Sequence, residues 1–106
     1  MDSLPSSVYI IGQRVDIGWM PESDEDNLGL FLADRRQIFI RPDLLPEVMG
    51  DTLIHEFLHA CFYLMGLKDD DKEEEIVTGY ASCILGVIQD PRNEEFLGWI
   101  NEIRHQ

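Results

Sequence analysis

Basic residues are scarce in this chain: eight Lys and Arg stand against 21 Asp and Glu, a formal net charge of -13. A surface of that sign opposes phosphate backbones and anionic lipid, which argues against nucleic-acid and membrane partners. Long apolar runs are missing as well. None reaches the roughly eighteen residues that a membrane span needs, and Met1 to Ser7 has neither the basic start nor the apolar stretch of a secretory signal. A cytoplasmic protein is expected. Cysteine is limited to Cys61 and Cys83, both inside apolar segments and not in a CxxC pair. Reduced, buried thiols are expected there, and no disulfide scaffold, zinc ribbon or redox pair is indicated. No internal repeat, low-complexity tract or linker divides the chain, and 106 residues with 44% hydrophobic content fit a single domain, 1–106, with one modest core.

The first third of the chain is patterned for strands. Residues 8 to 20 are rich in β-branched and aromatic types, and Val15, Ile17 and Trp19 alternate with Asp16 and Gly18 as in a half-buried strand that Pro21 ends. The acidic run from Glu22 to Asn27 reads as a solvated connection. Leu28 to Ala33 and Arg36 to Arg41 follow as two short strands around Asp34-Arg35, in a meander or hairpin. Charged flanks and Pro42 suit Gln37 to Ile40 to a sheet edge.

From Pro42 the apolar period changes from two to about 3.6. A long helix is expected from Pro46 to Met65, ended by Gly66 as a left-handed cap. Its apolar residues wrap most of its circumference, so it should be the most buried element. A second helix runs from Glu73 to Ile88, with Ile76, Val77, Tyr80, Ala81, Ile84 and Leu85 inward and Asp71 with Glu74 in the form of a capping box. Asp90-Pro91 breaks it, and Asn93 to Arg104 forms a third helix with Phe96, Leu97, Trp99, Ile100 and Ile103 as its stripe. Trp19 and Trp99 read as core anchors. The fold class is α+β: a small antiparallel or mixed sheet of about three strands, then three helices.

His55-Glu56-Phe57-Leu58-His59 has the form H-E-x-x-H. Spacing of i, i+4 puts both imidazoles on one helical face, where they can share a zinc ion, with Glu56 beside them as a base for a metal-activated water. Shuffling this composition yields the pattern on the order of once in two hundred chains, so chance is a weak explanation. The surrounding Leu53, Ile54, Phe57, Leu58 and Ala60 also make ionisable groups here costly unless they have partners.

A catalytic zinc site takes three protein ligands. Phe62 and Met65 stand where a metzincin would have Gly and His, and His105, near the end of the chain, reads as a solvated terminal side chain. A carboxylate of the second helix remains. Glu74 shares a face with Val77, Thr78 and Ala81 and is the leading candidate. Glu73, aligned with Val77, Tyr80 and Ile84, and Glu75, on the more polar side, stay open as alternatives.

The segments Ile38-Phe39-Ile40, Asp51 to Ala60 and Glu74-Glu75-Ile76-Val77 resemble the gluzincin-like minimal zincins, a group that includes phage and mobile-element metallopeptidases related to the ImmA/IrrE family. The resemblance implies a zincin-like fold, with His55, His59 and Glu74 as zinc ligands and Glu56 as general base. It also implies a peptide or protein substrate held against an edge strand, for which Gln37 to Ile40 is the expected element. Many such peptidases carry Asp or Asn four residues after the third ligand to hold a histidine; here that position is Thr78. Tyr63, one turn beyond His59, is placed to reach the pocket, though such a Tyr more often packs in the core.

The leading function is therefore a zinc-dependent peptidase, with acidic loops favouring basic segments of substrate. The alternatives are a non-catalytic, zinc-stabilised interaction domain and an acidic binding protein that covers a basic surface of its partner. An intact Glu56 argues against a purely structural zinc, because such a site needs no base.

Overall fold

A computed structural model describes residues 4–21, 27–67 and 72–103. The α+β expectation holds, with a four-stranded mixed sheet and three α-helices. The strands are β1 (Ser7–Ile10), β2 (Gln13–Trp19), β3 (Gly29–Leu32) and β4 (Gln37–Ile40). The helices are α1 (Pro46–Leu64), α2 (Glu73–Gln89) and α3 (Glu94–Ile103), with a 3-10 turn over Pro91–Asn93 before α3. No helix among the described residues is long and apolar enough to cross a membrane.

Residues 8 to 20 form two strands rather than one. Ile10 pairs with Gln13, and Ile11 (φ 52°) and Gly12 (φ 73°) make a two-residue turn between them. Both central residues have positive φ, as in the tight hairpin turns whose twist matches that of the strands. Ile11 carries none of the Asn or Asp chemistry by which such a turn is usually read.

The sheet order is β1-β2-β4-β3. β4 pairs in parallel with β2 (Ile17 beside Ile38) and antiparallel with β3 (Phe31 beside Ile38). Gln37 to Ile40 is therefore an interior strand, and β3 is an edge. The proline and arginine that suggested an edge lie just past the end of β4, whereas Ile38 and Ile40 within it are fully buried. Arg41 N–H donates to the Leu28 carbonyl at 3.0 Å, which fixes the ladder's phase. Leu30 and Leu32 bond to β4, and the N–H and C=O groups of Gly29 and Phe31 point to the outer edge.

α1 lies between the sheet and α2. Its row Thr52, Glu56 and Ala60, spaced four residues apart, is buried, and α1 packs on β3 and β4. The core gathers Ile10, Val15, Ile38, Ile40 and Ala60, with Leu53, Phe57 and Leu64 packed against it. α1 ends as expected at Gly66 (φ 73°). Leu67 N–H donates to the Phe62 carbonyl at 3.0 Å and Gly66 N–H to that of Tyr63 at 3.1 Å, so two otherwise unpaired carbonyls are satisfied.

Burial corrects several expectations. Val77 and Ala81 of α2 are buried, but Ile76, Tyr80 and Cys83 are exposed. The stripe of α3 does not reach the core: Trp99 is 60% exposed, and Phe96 and Ile100 are comparably open. Trp19 is likewise partly exposed rather than a core anchor. An amphipathic pattern shows which face of a helix is apolar, but not whether anything lies opposite it.

Candidate metal centre

α1 and α2 pack together, and α2 carries a stripe of Glu73, Val77 and Ala81, again four residues apart. Val77 and Ala81 are fully buried, and the side chain of Glu73 is only 12% exposed. On α1, the row next to the sheet-facing one carries His55, His59 and Tyr63. The two helices thus bring the imidazoles against the first turn of α2, where three consecutive acids stand.

Glu74 meets both histidines. Its Oε1 lies 2.7 Å from His55 Nε2 and its Oε2 3.0 Å from His59 Nε2. Its side chain is 66% exposed, so it closes the cluster from the solvent side. The imidazoles are in edge contact, with ring centroids 4.9 Å apart. One donor atom from each of His55, His59 and Glu74 lies within 4.8 Å of the others. Bonds of about 2.0–2.1 Å to a tetrahedral zinc place ligand atoms about 3.4 Å apart, so small side-chain movements suffice to admit the ion. Two imidazole nitrogens and one carboxylate form a chemically suitable set for zinc.

The three acids of α2 occupy different places. Glu73, a rival third ligand in the sequence, points instead at the far nitrogen of His59: its Oε2 is 2.6 Å from Nδ1. Glu75 is exposed and does not line the cavity. Thr78, at the position expected to support a histidine, is also exposed, and Glu73 makes that contact one residue before Glu74 rather than four after it. The signal for this role was available in the burial stripe that Glu73 shares with Val77 and Ala81. Lys72 is the residue before α2 and makes no side-chain cap bond. Asp71, the proposed cap, and His105 lie outside the described residues, and Glu74 faces the histidines.

A cavity of about 550 Å³ opens over the cluster. His55, Glu56, His59, Glu73 and Glu74 give it a polar side. Leu30 and Phe31 from β3, with Tyr63 and Leu67 from the end of α1, give it an apolar one. Tyr63 borders the cavity, half exposed, with its ring 6.0 Å from that of Phe31. Glu56 is 8% exposed. Burial holds its carboxyl above the ordinary value of 4.5, a rise that positive charge on His55 and His59 opposes and the charge of Glu74 reinforces.

The described residues therefore place two imidazoles, a bridging carboxylate, a carboxylate on the outer imidazole nitrogen and a buried acid around one open cavity beside a strand edge. Comparison with protein-family models, curated proteins and solved structures gives no match, so the chemistry of this centre is read from its own side chains.

Proposed function

We propose that this chain is a zinc-dependent metallopeptidase of zincin-like design. The observation that carries the reading is the convergence of His55 Nε2, His59 Nε2 and the Glu74 carboxylate on a cavity that also holds the buried Glu56. Zinc, when bound by His55, His59 and Glu74, supplies a Lewis acid that polarises a peptide carbonyl and makes water acidic enough to be deprotonated near neutral pH.

The remaining work falls to the chain itself. Glu56 takes a proton from the attacking water at its carboxylate and returns it to the leaving amine. A carboxylate raised by burial is a stronger base than one in water, which suits the first transfer. Glu73 accepts from His59 Nδ1 and so keeps Nε2 directed toward Glu74. The outer edge of β3 offers Gly29 and Phe31 N–H and C=O groups to an extended peptide, and the acids around the cavity favour basic segments.

Glu56→Gln tests the chemistry, because the amide keeps the shape and loses the base. Zinc content is expected to persist while cleavage of a peptide library falls by about a thousandfold or more. Equal cleavage by wild type and variant would move a zinc-stabilised interaction domain ahead of the peptidase.

A further inference from the structure

β3 crosses α1 with almost no space between them at Gly29. A methyl group on Gly29 would meet Thr52 Cγ2 at 2.7 Å, Glu56 Cγ at 3.0 Å and the Phe39 carbonyl oxygen at 3.2 Å. Carbon atoms attract best at about 3.5–4.0 Å, so only hydrogen fits there. Gly29 is not among the positive-φ residues, so space rather than backbone conformation demands the glycine. Thr52 is only 6% exposed and has little room to withdraw, so Glu56 gives way toward the cavity it lines.

We infer that Gly29 is a positioning residue: the side chain it lacks lets α1 lie against the edge strand and sets the distance from the Glu56 carboxylate to a peptide paired on that edge. The inference rests on the reading of Glu56 as the base. It joins two features of the same residue, because Gly29 turns its N–H and C=O to the outer edge of the sheet while its Cα faces Glu56 and Thr52 on α1. The histidines sit on another row of α1, with partners on α2, so a side chain at position 29 displaces the base and leaves the metal ligands in place.

A plain spacer role is separable from positioning through Thr52→Ser, which removes the nearest atom, Cγ2, and leaves the 3.0 Å approach to Glu56 Cγ. The experiment compares wild type, Gly29→Ala, Thr52→Ser and the double variant. Thermal stability, zinc affinity, the side-chain 13C resonances of Glu56, and kcat and KM on a fluorogenic peptide library are measured. Gly29→Ala is expected to lose stability, and the double variant to regain most of it. In the double variant the Glu56 resonances stay displaced, zinc affinity is retained, and kcat remains about 10- to 100-fold low with little change in KM. Return of the Glu56 resonances to wild-type positions together with stability would overturn the inference and leave Gly29 a spacer. If wild type cleaves no peptide the peptidase reading fails, while the resonances still decide whether Gly29 places Glu56.

Discussion

Glu73 Oε2 lies 2.6 Å from His59 Nδ1, while His59 Nε2 faces Glu74 at 3.0 Å. The same imidazole is thus gripped on both nitrogens by neighbouring residues of one helix turn. A buried carboxylate on the outer nitrogen fixes ring orientation and raises the basicity of the inner one. Glu73→Ala is expected to weaken zinc binding about 10- to 100-fold, and Glu73→Gln by less, because its amide oxygen can still accept from Nδ1–H. Competition with a zinc chelator measures both.

The buried carboxyl of Glu56 makes stability without metal depend on pH in a definite direction. Its folded-state pKa is raised, so its favourable contribution is fully present below the unfolded value near 4.5 and is lost as pH rises through the folded value. Glu56→Gln, which does not ionise, should therefore gain stability over wild type as pH rises above about 4.5, by about 1.4 kcal/mol for each unit by which the folded value exceeds the unfolded one. Denaturant unfolding in the presence of chelator checks the sign.

The β1–β2 turn holds a β-branched residue in the left-handed region, at Ile11, which is largely exposed. Asn tolerates that conformation far better. Ile11→Asn is expected to stabilise the fold by about 1 kcal/mol, read as a rise in Tm with zinc affinity unchanged.

Gly66 presents the converse case. Its φ of 73° completes the bonds that end α1, and an added Cβ would meet no neighbouring atom within 4 Å. Gly66→Ala should therefore cost about 1–2 kcal/mol through backbone conformation alone, measured by denaturant unfolding.

Much of this architecture was legible in the sequence because it is local. The change of period after Pro42, the glycine after Met65 and the i, i+4 spacing of His55 and His59 each act within a few residues, and helical geometry carries them into space. The strand order was not legible. Nothing near Gln37 to Ile40 specifies its parallel pairing with Gln13–Trp19, which depends on residues some twenty positions earlier. Glu73 and Glu74 show the limit on the helix itself: one step of about 100° separates the acid on the buried stripe from the one bridging both imidazoles. That step depends on how α2 rotates against α1. Gly29 shows the same limit, since a glycine in a strand carries no sign of the helix that crosses it.

The zinc content of the purified chain, by elemental analysis of wild type beside His55→Ala, His59→Ala, Glu74→Ala and Glu75→Ala, tests the centre most directly. One zinc per chain in wild type and Glu75→Ala, with loss of stoichiometric metal in the other three, is the predicted result. No stoichiometric zinc in wild type, or full zinc in both histidine variants, would contradict it.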